Sequence, residues 1–162
     1  MLVRQAVRSD VVTRLTAAGT AAGTNVFGSR VSPYGAEELP ALAVYTLEER
    51  GSSPAAGALG EPHFDFTLTL QVDAVVQAVD GWADTLDSLC EEVETALLNQ
   101  SDFVNGFTGV ANFNTTVQLQ DGGEIPVASA SMTFDLTYSS YFKPVVPDDL
   151  ETTNMEVDAI DP

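Results

Sequence analysis

The stretch HFDFTLTLQVDA, residues 63–74, decides the fold of this chain. Apolar residues occupy every second position from Phe64 to Ala74, and polar residues fill the positions between them. A period of two over this length is typical of a β-strand in a sheet with one buried face and one polar face. The rest of the chain must supply the neighbouring strands and a layer that covers the buried face.

Two segments have helical spacing and can supply that layer. In residues 2–18, apolar side chains recur every four positions from Val3 to Leu15, and Gly19 and Gly23 follow. Residues 81–98 carry a second stripe with a period of 3.6. Its members are Trp82, Leu86, Leu89, Cys90, Val93 and Leu97. Asp80 is placed to cap this second helix.

Four other segments are predicted strands, and together they set the fold class. They are residues 24–31, 41–49, 112–120 and 127–142. The order of elements predicts an α+β fold, in which two amphipathic helices cover one face of a mainly antiparallel sheet of about five strands. Residues 1–142 form one domain in this interpretation, and residues 143–162 form an extended acidic C-terminal arm.

The charge balance excludes some classes of partner. The chain has 24 acidic and 6 basic residues, a formal net charge of −18, and no Lys or Arg lies between Gly51 and Phe142. Such a surface repels phosphate, which disfavours nucleic-acid binding and anionic membranes. Many carboxylates, one lysine and abundant small residues also resemble proteins of salt-loving archaea or their viruses. At molar salt their mutual repulsion is largely screened.

Few residues are suited to chemistry. His63 is the only histidine and Cys90 the only cysteine, so neither an internal disulfide nor a zinc site is expected. Cys90 lies in an apolar helix stripe next to Glu91 and Glu92, an environment that raises a thiol pKa. No EF-hand or phosphate-binding loop is present. We therefore expect no enzyme, metal or cofactor, although a hydrolase that uses His63 stays open.

The N-terminal residues and the hydropathy give the expected location. MLVRQAVRSD carries charges where a signal peptide needs an apolar run, and no stretch approaches the length of a membrane span. We expect no membrane association and synthesis in a cytoplasm.

A stretch of small residues separates two strands and is the main candidate for an interaction site. Its side chains are too small to form a core, and it is longer than a hairpin turn needs. We therefore interpret it as a loop that becomes ordered when it contacts a partner. The alternative is a surface insertion that has no function. The candidate interaction residues are Gly51, Ser52, Ser53, Pro54, Ala55, Ala56, Gly57, Ala58, Leu59 and Gly60, with Pro144 and Pro147 of the arm.

The order of these parts resembles the tail terminator proteins of long-tailed phages and related archaeal viruses. The resemblance covers most of residues 2–142. It rests on the helix LVRQAVRSDVVTRLTAAG, the strand LPALAVYTLEE after a Pro-rich loop, the small-residue loop before HFDFTLTLQVDA, and the helix WADTLDSLCEEVETALL. The most characteristic piece is LP-x-L-x-V-Y followed by acidic residues. The acidic arm after Phe142 departs from the family pattern.

The resemblance implies a role in a virus particle. Members form a six-membered ring on the head-proximal end of the tail tube, stop its polymerisation and contact the head completion or connector proteins. DNA passes through the ring without specific binding. We therefore expect a virion tail protein, assembled in the host cytoplasm, whose partners are copies of itself, the tube protein and the connector.

Three alternatives stay open beside the terminator interpretation. The family shares its core with tail tube proteins, so the chain fits a tube or head-tail joining subunit as well. A small-ligand binding module is the alternative from a different class. The carboxylates are consistent either with a lumen along which DNA slides or with salt adaptation over the whole surface.

Overall fold

The computed structural model describes residues 3–54, 62–120 and 125–142. The main elements are α1 Val3–Ala17, β1 Val26–Gly28, β2 Ala41–Ser52, β3 His63–Gln77, α2 Trp82–Leu98, α3 Ser101–Val104, β4 Gly109–Gln120 and β5 Val127–Tyr141. The strands form one sheet in the order β1-β2-β3-β5-β4, antiparallel except for the parallel pair β1–β2. The predicted α+β class and the order of the two long helices and five strands are confirmed.

Both long helices pack on the same face of the sheet. α1 contacts β1 and β2, whereas α2 contacts β3 and β5. The alternate apolar residues of β3 and β5 point toward the helices, and Leu70, Phe134 and Leu136 are among the most deeply buried side chains. Removing these residues from water supplies the main stabilising term of the fold. The face predicted from the period-two pattern is therefore the core face.

α1 buries one narrow stripe and is joined to α3 by an ion pair. Val7, Val11 and Leu15 are its buried residues. The Arg14 guanidinium lies 2.7 Å from the Asp10 carboxylate and 2.9 Å from the Asp102 carboxylate of α3. The hydrogen bond to Asp102 and, to a smaller extent, that to Asp10 raise the pKa of Arg14.

The predicted cap of α2 by Asp80 is wrong. Gly81 occupies the N-cap position with a φ of 81°, and the helix has no side-chain cap. The Trp82 N–H donates to the Val79 carbonyl oxygen, so the chain makes a tight turn just before the helix. The turn, residues 79–82, requires a positive φ at its third residue, which favours glycine at position 81, and it places Asp80 one residue too early to cap.

β2 is longer than predicted and contains a β-bulge. Its pairing with β3 is regular to Thr46, skips Leu47 and continues from Glu48 to Ser52. The prediction that Gly51 and Ser52 belong to a loop is wrong, since they pair with Phe66 and Asp65. Small residues are poor strand formers, but the Phe66 ring compensates by covering Gly51.

A second bulge lies in β4, where the pairing with β5 skips Ala111. The pairing of β3 with β5 has no such irregularity and runs from His63 opposite Tyr141 to Gln77 opposite Val127. The two central strands are therefore regular, whereas β2 and β4 each carry one bulge.

One corner of the other sheet face is covered by the connection between β1 and β2. The Arg30 guanidinium lies 4.3 Å from the ring centre of Phe27 and 4.5 Å from that of Tyr34. It also forms two hydrogen bonds with the Glu38 carboxylate, of 2.8 and 2.6 Å. These bonds lower the pKa of Glu38, and burial raises the pKa of Tyr34 to about 12.

Gly51 is required because a ring occupies the space of its missing side chain. A Cβ at this position would lie 2.7 Å from Cε1 of Phe66, and that ring is stacked on Tyr138 at 5.2 Å. We predict that Gly51→Ala lowers the free energy of unfolding by roughly 1–3 kcal/mol, the usual range for overpacking. Denaturant titration followed by circular dichroism measures the change.

Gly28→Ala is the matched control, because its Cβ would meet only Val12 Cγ2 at an ordinary 3.6 Å. We expect a smaller change there. Equal unfolding midpoints for the two variants would show that the packing of the Phe66 ring does not require a glycine at position 51.

Cys90 belongs to the core rather than to a reactive site, as predicted. It is buried, and burial raises the pKa of its thiol to about 11, with contributions from Asp87 and Glu94. The two contributing carboxylates are one helical turn away, on the same side as the thiol, and are not the adjacent Glu91 and Glu92 named from the sequence.

We predict that Cys90 is protected from thiol reagents in the folded protein. At pH 8 a thiol with this pKa is roughly one-thousandth thiolate, against about a quarter for an ordinary cysteine. Native modification should therefore be at least about a hundredfold slower than modification in denaturant. An aromatic disulfide reagent followed by absorbance tests this, and equal rates in both states would contradict it.

Candidate assembly surfaces

Aromatic side chains cluster at one end of the sheet, where β2 and β5 end and β3 begins. We name this region the far end of the sheet. Phe66 stacks on Tyr138 at 5.2 Å, and the Phe142 ring lies 5.9 Å from Phe64 and 6.4 Å from Phe66. The Tyr138 hydroxyl donates a hydrogen bond to the Glu49 carboxylate. The pKa of Tyr138 is raised mainly by burial and also by this hydrogen bond. Phe142 is half exposed, so the far end presents aromatic surface to solvent.

The two segments predicted to mediate interactions leave the body at the far end. β2 ends at Ser52, β3 begins at His63, and the Phe142 N–H donates to the Pro62 carbonyl oxygen at 2.8 Å. Both ends of the small-residue loop therefore lie beside the start of the arm. Ser53 and Pro54 are exposed there. The other predicted residues, Ala55, Ala56, Gly57, Ala58, Leu59, Gly60, Pro144 and Pro147, lie outside the described residues.

β4 is an edge strand in which no residue is buried. Phe113, Val117 and Leu119 are 43%, 49% and 58% exposed. They pair with Phe134, Ala130 and Ala128, so they lie on the core face of the sheet. The helices contact other strands, and this row, which we name the apolar strip of β4, therefore remains uncovered within the described part of the chain.

The opposite edge of the sheet is also partly open. β1 pairs only with Leu42–Val44 of β2, so the outer side of β2 from Tyr45 onward has no strand beside it within residues 3–54, 62–120 and 125–142. Leu47, in the bulge, is 62% exposed. An open edge presents unpaired N–H and carbonyl groups that can pair with another chain. The sheet thus has an open edge on each side.

The sheet face away from the helices is polar and rich in acceptors. Thr69 Oγ1 and Asn112 Nδ2 donate to the two oxygens of Asp135, at 2.9 and 2.8 Å. Gln71 Nε2 donates to Asp73 at 2.7 Å. These carboxylates accept hydrogen bonds from neutral donors and form no ion pair with a described basic residue.

His63 is not arranged as a catalytic base. Its ring stacks on Tyr141 at 4.2 Å, and its Nε2 lies 3.5 Å from Asp65 Oδ1. Ser139 Oγ donates to that same Asp65 oxygen at 2.6 Å. A serine nucleophile must bond to the histidine, which in turn is oriented by the acid. Here serine and histidine both approach the carboxylate, so the three groups do not form a relay.

A shallow cleft of about 520 Å³ lies between the end of α1 and α2. Gly19, Thr20, Ser88, Glu91 and Glu92 are among its lining residues, and Glu92 accepts a hydrogen bond from the Ala21 N–H at 2.7 Å. The space between sheet and helices is filled by large apolar side chains. This open cleft lacks the predominantly apolar lining of a typical ligand pocket.

The described residues contain no group of three or more His, Cys, Asp or Glu side chains that could hold a metal ion. Among the helices of these residues, none has the length and hydropathy required to cross a membrane.

The chain is similar in structure to chains of solved structures. No family model matches the chain, and no curated protein matches it. A solved structure described as the virion of a native gene transfer agent (GTA) particle contains a similar chain, with a TM-score of 0.44 and 13% identity. The alignment covers 86% of this chain and 100% of that one.

Proposed function

We propose that this protein is a structural virion protein, a tail terminator whose copies form a ring on the head-proximal end of a tail tube. In this role the ring stops tube polymerisation and joins the tube to the head completion or connector proteins. The observation that carries the assembly role is β4, twelve residues of edge strand with no buried side chain. A long edge with apolar residues is an aggregation hazard unless a partner covers it.

The positions of the other surfaces support a ring. A sheet with one open edge on each side can associate head to tail, and head-to-tail contacts either close into a ring or continue without end. The small-residue loop and the arm leave from the far end, where they could contact the next layer of the tail. The polar face could line a lumen whose negative charge keeps DNA from sticking.

The resemblance to tail terminators is our ground for proposing that role rather than a related one. A tube or head-tail joining subunit would use the same two edges, and differs in whether one ring stacks on the next. The proposal of a terminator therefore depends on the order of parts along the chain, whereas the proposal of an assembling subunit depends on β4.

We predict that the purified protein forms closed rings of constant height when concentrated at high salt, because salt screens the repulsion between copies of charge −18. Negative-stain electron microscopy shows the particles. Tubes that lengthen with time would contradict the terminator and favour a tube subunit. Particles that stay single, and that leave the growth of tubes unchanged, would contradict the assembling role.

The apolar strip of β4 gives a second prediction. We expect Val117→Lys with Leu119→Lys to abolish ring formation, because two ammonium groups would have to be buried against the partner. Both side chains are about half exposed, so the stability of the single copy should change little. Sedimentation velocity measures the fraction in rings.

The matched control is Thr116→Lys with Gln118→Lys, which adds the same charge to exposed positions on the other face of the same strand. We expect these variants to form rings. If both pairs of substitutions affected assembly equally, the apolar strip would have no special role.

A further inference from the structure

We propose that the apolar strip of β4 is covered by the edge of a second copy that carries α1, and that Arg4 and Arg8 of that copy face the acidic side of α2. This inference rests on the proposed assembly and names its contact. Four observations support it: the location of the free positive charge, the location of the acidic side of α2, the layer order, and the matching chemistry.

Positive charge is scarce, and most of it is neutralised within the chain. Arg14, Arg30 and Arg50 each lie within 2.9 Å of a carboxylate oxygen. Arg4 and Arg8 form no ion pair with any residue the structure describes. They are one helical turn apart, so they can act together on one partner.

The two free arginines lie toward the β1–β2 edge of the sheet. Arg8 Nη1 donates to Thr46 Oγ1 of β2 at 3.0 Å, which places this side of α1 over that edge. Val12, one turn farther along, approaches Gly28 of β1. Arg14 by contrast faces α3. Arg8 is half-buried and Arg4 is exposed.

The acidic side of α2 points in the opposite direction, toward β4. Glu92 binds the Ala21 amide and so marks the side of α2 that faces α1. At about 100° per residue, Asp87 and Glu94 lie roughly 140° and 160° round the helix from Glu92. Glu91 lies between these two sides. Asp87, Glu91 and Glu94 make no ion pair with a described cation.

The layer order brings these two sides together when copies associate edge to edge. α1 covers β1 and β2, α2 covers β3 and β5, and β4 is uncovered. A second copy whose β1–β2 edge lies beside β4 therefore brings its α1 next to α2 of the first. Its Arg4 and Arg8 then meet a row of carboxylates across the apolar strip, and Leu47 can add apolar contact.

A second copy fits better than other occupants. Each copy carries both the arginine pair and the acidic side, so one contact serves every junction of a ring. The net charge of −18 makes random contacts repulsive, and the arginine pair selects one orientation from among them. Complementary charge placed around an apolar centre is the usual arrangement of a specific interface.

Two charge-reversed variants test the contact. The first is Arg4→Glu with Arg8→Glu, and the second is Asp87→Lys with Glu94→Lys. Alone, each variant brings like charges together at every junction, so we expect the concentration needed for rings to rise roughly tenfold or more. Mixed in equal amounts, the two variants can alternate around a ring with opposite charges at each junction. Rings should then return.

Sedimentation velocity and negative-stain microscopy provide the measurement, at the lowest salt at which unmodified rings form. The difference between variants should shrink at molar salt, where the Debye length is about 3 Å. Circular dichroism melting of each variant confirms that it is folded.

A pair of control variants separates the effect of where the charge lies on α1 from the effect of the net charge of the protein. Arg4→Gln with Arg8→Gln removes two positive charges from α1, whereas Thr13→Glu with Ala17→Glu adds two negative charges, so both pairs lower the net charge by two units. Thr13 is five residues from Arg8, about 140° round the helix, and both Thr13 and Ala17 are exposed. Only the first pair should weaken ring formation.

The outcomes separate this contact from the proposed function. If each variant alone forms rings as the unmodified protein does, or if mixing restores nothing, the contact is wrong and the ring stands. If the unmodified protein neither forms rings nor stops the growth of tubes, the proposed function is wrong.

Discussion

The pairing of β3 with β5 is the contact on which the rest of the structure depends. It runs unbroken from His63 opposite Tyr141 to Gln77 opposite Val127. These two strands supply the central rows of the core, and α2 packs across both of them. They are separated in the chain by α2, α3 and β4, so the pairing closes a large loop and costs chain entropy that only the buried apolar face repays.

The scarcity of basic residues gives each arginine a distinct role. Arg14 joins α1 to α3, and Arg30 holds the β1–β2 connection over the polar face of the sheet. Both are held by bidentate or double carboxylate contacts, for which a guanidinium is better suited than an ammonium. In a chain with so many carboxylates, these contacts act locally while the overall charge opposes compaction.

Much of the fold could be predicted from the sequence, because periodicity reports burial directly. Periodicity predicted the strand around Leu68 and Leu70, the buried stripe of α2 and the order of the elements. It did not predict details that depend on contacts with neighbouring residues. Asp80 looked like a cap because capping residues are recognised by type, whereas the turn through Gly81 depends on the path of the chain. Gly51 looked like a loop residue because its partner ring, Phe66, is distant in sequence.

The candidate surfaces were only partly visible in the sequence. Alternation placed Phe113, Val117 and Leu119 on one face, but a pattern of apolar residues cannot show that no helix covers them. The interaction role of the small-residue loop and the arm stays a prediction, although both start at the far end. The relation between free arginines and unpaired carboxylates required knowledge of which charges are already neutralised.

The two bulges lie at the same level of the sheet. Glu48, Thr69, Asp135 and Asn112 form one row across four strands, and the extra residues, Leu47 of β2 and Ala111 of β4, lie directly beside this row. A bulge increases local twist and bends its strand. The row therefore acts as a crease along which the sheet curves. Deleting either extra residue would keep the cross-strand partners of this row in register, and the local twist that the bulge adds should then be lost.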